Sequence, residues 1–485
     1  KSPRDLPDHH GQGLAGCRAG IRRQAVQRGQ GRGRRCRDRG PDSDPGALSG
    51  DPCRRRGIDA STSRDSRSAE ADRQHNPAAR PTRGRLTVIR RLRELLPPAA
   101  VLGGVLAAVV TLVRVVHSVA TRGSAGLFND FYDYWAAGVL LNRGQDPYDI
   151  AALHAVQRAA GLQVETGGGY SYPLVFAHLL RPLALMAAPK AAFIFMGLSL
   201  IALCGAIALL LGSIPHLRWP VALGGGAVAG LFPPVIGSLY FGQANLLVLL
   251  LLALAYRCVA PGPMLGLASA IKLYPVTGFL AALTERPPRW RRLVIGLSLL
   301  AVLLLPQLGV GSGSIAGRAG SFLGPDTYWT NESINGWLSR LGIASTWTRP
   351  PLPGLPVEPF MLAVVAILAG LTVAVLRRAA PRPWEGALAL SLWLGVVAAP
   401  KNSLWNFTPL LLCVVFIWTT VRGRWWIVAI GACGWILLEV QAQLDSARAT
   451  VYQSSPALAW LSSVGLYGAL IIGAVTAFVL LRPNR

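Results

Sequence analysis

From residue 95 onward the chain is a succession of long apolar runs separated by short polar connections. A hydrocarbon core about 30 Å thick takes about 20 apolar residues per helix. On that ruler the runs predict about twelve membrane helices. They lie within residues 97–120, 172–188, 191–213, 219–238, 243–257, 262–284, 293–312, 358–376, 384–400, 405–421, 425–443 and 458–481. The second, fourth and fifth runs are short and are candidates for tilted or re-entrant segments. The expected fold class is an all-α polytopic membrane protein with two long polar loops, residues 122–171 and 313–357.

Residues 1–94 do not share this pattern. No aromatic residue precedes Phe128, and the segment holds 23 Lys+Arg and 11 Asp+Glu. Without bulky apolar side chains it cannot build a core. It is expected to be a disordered basic segment, either a cytoplasmic tail that touches anionic lipid or sequence extended beyond the native start. Residues 95–485 are expected to form the membrane domain.

The net charge of +25 therefore divides, and about half of it belongs to the N-terminal segment. Arg90, Arg91 and Arg93 precede the first run. Arg286, Arg289, Arg291 and Arg292 follow the sixth, Arg377, Arg378 and Arg382 the eighth, Arg422 and Arg424 the tenth, and Arg482 and Arg485 the last. With an even number of spans all of these fall on one face, which the positive-inside rule makes cytoplasmic. Trp290, Trp425 and Trp426 flank them as interfacial anchors. Both long loops then face outward, where function is expected to concentrate. A basic excess distributed in this way demotes nucleic acid as a partner and leaves membrane lipids. The seven cysteines show neither C-x-x-C nor another metal-ligand spacing. No metal or cofactor is expected.

Acids are scarce outside the N-terminal segment, with 12 carboxylates in residues 95–485. Two of them, Asp130 and Asp133, are three apart and share a helix face. They lie among Phe131, Tyr132, Tyr134 and Trp135, and a carboxylate against aromatic walls can serve as a general base. The structural alternative is that Asn129 or Asp130 caps the helix. This helix is expected to end at Asn142-Arg143-Gly144, and Asp146-Pro147-Tyr148-Asp149 restarts the chain. A second helix over 149–160, with Ile150, Leu153 and Val156 on one side, is expected to lie in the interface. Gly167-Gly168-Gly169 then forms a joint before Tyr170-Ser171-Tyr172-Pro173. In the second loop, Tyr328-Trp329-Thr330-Asn331-Glu332-Ser333 mixes stacking surface with hydrogen-bonding groups, as sugar recognition requires. Asn331 and Glu332 are candidate substrate contacts, Glu332 as a second acid/base or an acceptor clamp. Asn331-Glu332-Ser333 is also a short glycosylation sequon.

The order Asp130-Phe131-x-x-Tyr134, then Gly144 and Pro147-Tyr148, then Tyr170-x-Tyr172-Pro173 resembles the first outer loop of glycosyltransferase family 87, in the GT-C superfamily. The resemblance continues through Gly242-Gln243-Ala244-Asn245, Lys272-Leu273-Tyr274-Pro275 and Asn331-Glu332-Ser333-Ile334-Asn335-Gly336. It implies a GT-C-like helical bundle in the plasma membrane with an extracytoplasmic active site. It implies a polyprenyl-phosphate-linked sugar donor, mannose first, and a lipid or glycan acceptor. Asp130 would be the general base of an inverting transfer, with Asp133, Tyr132 and Tyr172 on the substrates. The leaving phosphate wants cationic or N–H partners.

Lys272 fits that need. Lysine occurs only at positions 1, 190, 272 and 401. A charge at a helix centre costs about 2.5–3.5 kcal/mol on insertion scales and is a functional candidate by default. Lys272 is expected to bind the phosphate with support from Tyr274; the alternative is a lysine that snorkels to the interface. Lys401 is a second phosphate candidate. Gln243 and Asn245 fit the family pattern, but span parity puts them at the face opposite Asp130 unless the fourth and fifth runs are re-entrant. The stretch from Ala399 to Asn406 departs from the family's mannosyltransferase pattern, which carries a His there. A flippase or transporter and a non-catalytic partner of envelope assembly are the rival readings.

Overall fold

The computed structural model describes residues 95–485 apart from 125, 163–168, 310–323, 380–382, 422, 447–454 and 483–485. The expectations for residues 1–94, for Gly167-Gly168, for the start of the second long loop, and for Arg382, Arg422 and Arg485 lie outside the described residues.

The described chain is helical. It opens with α1 (Pro98–Arg122). The first long loop carries α2 (Asn129–Asn142) and α3 (Ile150–Ala159), and α4 (Leu174–Leu180) follows it. Next come α5 (Ala188–Leu211), α6 (Trp219–Gly230), α7 (Pro233–Tyr240), α8 (Asn245–Tyr256) and α9 (Pro261–Ile271). A 3₁₀ turn over Tyr274–Gly278 leads into α10 (Phe279–Leu283) and then α11 (Trp290–Leu304). The second loop carries α12 (Ile334–Gly342) and is followed by α13 (Val357–Arg378) and α14 (Trp384–Ala398). The chain closes with α15 (Leu410–Thr420), α16 (Trp425–Ser446), α17 (Leu458–Leu461) and α18 (Val464–Leu481).

Twelve apolar runs do not become twelve long helices. Among the described residues, six helices are long and apolar enough to cross a membrane: α1, α5, α11 with its 3₁₀ extension, α13, α16 and α18. Counting α6 and α7 together as one bent span gives a seventh. The remaining runs form shorter pieces because proline and glycine interrupt them. Pro233-Pro234 lack two backbone donors, so α6 must stop and α7 restart, at an angle of 56°. Pro275 keeps α9 from continuing past Ile271. Broken backbone at membrane depth persists only where protein buries it or it lines a cavity.

Packing is by small residues as well as large ones. α1 lies along α5 and α6, and α16 along α18. A Cβ added at Gly226 would fall 2.1 Å from the Gly103 carbonyl oxygen, so the α1–α6 crossing depends on bare backbone at that point.

The first loop folds onto the protein. Helix α3 buries Leu153, Val156 and Gln157, while Ile150 is 44% exposed. Its inner face is thus set by residues three and four apart packing on α2, one position off the expected stripe. Asp149 caps α3 by accepting from Ala152 N–H at 3.1 Å. Helix α2 ends at Asn142, as the Asn-Arg-Gly signal requires.

Candidate active site

Helix α2 begins without a side-chain cap. Its first residue is preceded by Phe128, held in the left-handed region at φ 62°. Neither Asn129 nor Asp130 acts as the cap. The free backbone donors at this end find carbonyls instead. Phe128 N–H donates to Tyr240 O at 2.9 Å, and Asp130 and Phe131 N–H donate to Phe241 O at 3.1 and 3.3 Å. The N-terminus of α2 therefore docks on the C-terminus of α7, where each end supplies what the other lacks. The Asp130 side chain takes no part in capping the helix.

The same corner holds the Gly242-Gln243-Ala244-Asn245 motif, the turn that joins α7 to α8. Gly242 has φ 68°, and Gln243 N–H donates back to Ser238 O at 2.8 Å. Glycine is required twice over, because an added Cβ would also sit 2.7 Å from Phe131 Cβ on α2. Gly242→Ala is expected to cost about 2–4 kcal/mol from left-handed strain and overpacking. The thermal midpoint in detergent reads this; an unchanged midpoint would mean that the corner yields.

The bend between α6 and α7 corrects the parity argument, because it brings the motif to Asp130. Gln243 Nε2 donates to Asp130 Oδ2. Asn245 Nδ2 donates to Gln243 Oε1 at 2.5 Å. Lys272 Nζ donates to Asn245 Oδ1 at 2.7 Å and lies 3.4 Å from Asn406 Oδ1. Lys272 stands where α9 ends, in extended backbone, and is 3% exposed. It does not snorkel. Its ammonium also sits 4.9 Å from the centroid of the Tyr172 ring, within cation–π range. Asp130 and Lys272 lie within electrostatic reach of each other.

Aromatic residues wall this centre. Tyr134 hydroxyl donates to Tyr172 hydroxyl at 2.6 Å, and both rings are buried. Burial, then the neighbouring Tyr172 and Asp130, pushes Tyr134 well above its ordinary value, so it stays a neutral donor. Tyr132 is half-buried, edge-on to Phe128 and Phe131. Tyr274 is buried in the 3₁₀ turn just past Lys272. Asp133 accepts from Gln157 Nε2 at 2.7 Å, which ties α2 to α3.

The other candidates surround a second group. Arg340, wholly buried on α12, donates to Tyr328 O at 2.6 Å, Asn331 O at 2.8 Å and Ser462 Oγ at 2.8 Å. Glu332 turns to Arg340 at 3.9 Å. Burial pushes its carboxyl well above the ordinary range, against the downward pull of Arg340. Asn331 accepts from Ser333 N–H and Asn402 N–H and donates to Asp326. Its side chain is buried, so the sequon is occupied by internal bonds. Lys401 pairs with Asp326 at 3.5 Å. These residues buttress the segment before α15: Glu332 N–H donates to Asn402 O, and Ser333 Oγ to Pro400 O. That segment in turn presents Asn406 to Lys272. Arg340→Leu takes the donor from five buried acceptors and is expected to cost about 3 kcal/mol or more. A thermal midpoint equal to wild type would remove Arg340 from this role.

Sequence reasoning missed Asn406, Ser238 and Arg340. Asn406 stands in the stretch where the family pattern has a His. Ser238 Oγ and Asn245 Nδ2 each donate to Trp405 O at 2.9 Å, which pins the same segment to α7 and α8.

A model of glycosyltransferase family 87 matches residues 170–400. The match takes in Tyr172, Gln243, Asn245, Lys272, Tyr274, Asn331 and Glu332, while Asp130 and Lys401 lie outside it. Comparison with curated proteins gives no match. Six apolar helices of spanning length place this family segment in a membrane protein. Residues 170–400 are thus similar to glycosyltransferase family 87, and that similarity supports a membrane glycosyltransferase.

Proposed function

We propose that this protein transfers a sugar, mannose first, from a polyprenyl-phosphate donor to a hydroxyl of a lipid- or glycan-linked acceptor, on the extracytoplasmic side of the plasma membrane. The observation that carries the reading is the line Asp130–Gln243–Asn245–Lys272. It joins a carboxylate that can take a proton to an ammonium that can hold a phosphate. Transfer from a lipid phosphate needs both of these at one centre.

The acceptor oxygen attacks the anomeric carbon of the donor as Asp130 takes its proton. The bond from that carbon to the phosphate oxygen breaks, and its electron pair leaves with the phosphate. Lys272 stabilises the charge that develops there. One displacement inverts the anomeric centre. Tyr172 and Tyr134 offer hydroxyls beside the reacting groups, and Tyr132 presents a half-buried ring for a sugar face. Glu332, Asn331 and Lys401 hold the scaffold behind Asn406.

Membranes that contain the protein, supplied with radiolabelled polyprenyl-phosphate mannose, test this. Transfer of label into a new glycolipid or glycan that depends on the protein is expected. Absence of transfer, with the donor intact and acceptor-bearing membranes present, would overturn the donor assignment.

A further inference from the structure

We propose that Gln243 and Asn245 are positioning residues, a carboxamide relay that makes Asp130 and Lys272 one electrostatic unit, so that an anion arriving at Lys272 strengthens Asp130 as a proton acceptor. This rests on the reading of Asp130 as the base and goes beyond it, because it removes these two side chains from the substrates and gives them a task between the charges.

The polarity of the line is the first reason. From Lys272 the atoms run ammonium, Asn245 Oδ1, Asn245 Nδ2, Gln243 Oε1, Gln243 Nε2, Asp130 Oδ2. Each carboxamide turns its oxygen to the cation and its nitrogen to the anion. Both dipoles thus point the same way along the line, and each bond polarises the next.

The orientation of each amide is forced. Around Asn245 Nδ2 lie four oxygens: Ser238 Oγ at 2.9 Å, Gln243 Oε1 at 2.5 Å, Trp405 O at 2.9 Å and Asn406 Oδ1 at 3.0 Å. Reversing the amide would set its oxygen against three carbonyl oxygens and its N–H group against the ammonium. Asn406 is held the same way round, since its Oδ1 faces Lys272 Nζ at 3.4 Å as well as Asn245 Nδ2. With Asn245 fixed, Gln243 must accept from it and donate to Asp130.

Burial makes the arrangement count. Gln243 and Asn245 are 0% and 1% exposed. Water screens little here, so the ammonium's charge and the Gln243 N–H both favour the ionised carboxylate. A phosphate that pairs with Lys272 cancels the ammonium's field. The carboxylate then loses part of its stabilisation and accepts a proton more readily. Activation of the base thus follows arrival of the anion, which keeps the site from deprotonating an acceptor before a donor is bound.

Three further titratable groups lie close to Asp130. Tyr134 and Tyr172 are neutral hydroxyls, and Asp133, three residues further on the same helix, is held by Gln157.

The test uses the full chain in lipid nanodiscs and needs no substrate. The infrared carboxyl band absent from Asp130→Asn is followed against pH in wild type, Asn245→Leu and Asn245→Ser. Asn245 has no direct bond to Asp130 in the relay, yet both variants are expected to move proton uptake by Asp130 to higher pH by about one unit or more. Ser391→Ala, a buried hydroxyl on α14 bonded to Ala387 O, is expected to leave it in place. The serine variant keeps the test alive if the leucine variant fails to fold. Proton uptake at the wild-type pH in the folded Asn245 variants overturns the relay. The base assignment is judged separately, by transfer activity in Asp130→Asn. An inactive Asp130→Asn with unmoved infrared titrations leaves the base and rejects the relay. An active Asp130→Asn rejects the base even if the titrations move.

Discussion

Asp130→Asn lowers sugar transfer by about 100-fold or more, the usual weight of a general base, while the protein inserts and folds as wild type does. The substitution keeps the shape of the side chain and an oxygen for Gln243 Nε2 to donate to. What it removes is the capacity to take a proton. Helix α2 does not depend on this carboxylate for its cap, since backbone carbonyls of Tyr240 and Phe241 serve its first donors. Stability and activity therefore separate at this residue. Transfer rate at matched protein amounts, measured beside the thermal midpoint, checks both halves. A variant that transfers at the wild-type rate rules out Asp130 as the base.

Lys272→Met is the second large effect. Removing one charge-bearing donor from a developing oxyanion costs about 100- to 1000-fold in rate. The effect on folding is expected to be small. Methionine fills similar volume with no charge to desolvate, and replacing a buried ion with a well-packed apolar group is often neutral or stabilising. The loss of a partner for Asn245 Oδ1 works the other way, by about 1–3 kcal/mol. A lysine kept here for stability alone would show the opposite pattern, with a depressed thermal midpoint and a transfer rate that follows it. Rate loss without such a fall in stability identifies a residue retained for chemistry.

The candidate charges were easier to pick out from the sequence than the path of the backbone. Asp130 and Lys272 stood out because carboxylates are few after residue 94 and lysines few anywhere. Lys272 is costly where it lies, and a costly residue needs a reason. Gln243 and Asn245 were found by motif, and span parity set them opposite Asp130 unless the fourth and fifth runs were re-entrant. A hydropathy run records how much apolar sequence is present, not whether its helix bends. Pro233-Pro234 gave a hint of the break, and the 56° between α6 and α7 places it inside the fourth run.

Asn406 and Arg340 illustrate a different gap. An asparagine is unremarkable among loop residues, and one arginine among 44 carries no signal of rarity. Their roles arise from contacts across the fold: Asn406 reaches Asn245 over 161 positions, and Arg340 reaches Ser462 over 122. Glu332 was conspicuous for the same scarcity that exposed Asp130, yet its partners are structural. Scarcity picks out charges that need an explanation. The partners differ: Glu332 faces a buried guanidinium, and Asp130 the carboxamide of Gln243.

The most direct test of the account is the anomeric configuration of the product. Wild-type protein is supplied with β-linked polyprenyl-phosphate mannose labelled with carbon-13 at the anomeric position. The one-bond carbon–hydrogen coupling at that carbon in the purified product then reads its configuration. A base at Asp130 and a phosphate-holding cation at Lys272 predict a single displacement and an α-linked product. A β-linked product would contradict the mechanism, and no transfer from this donor would contradict the function proposed.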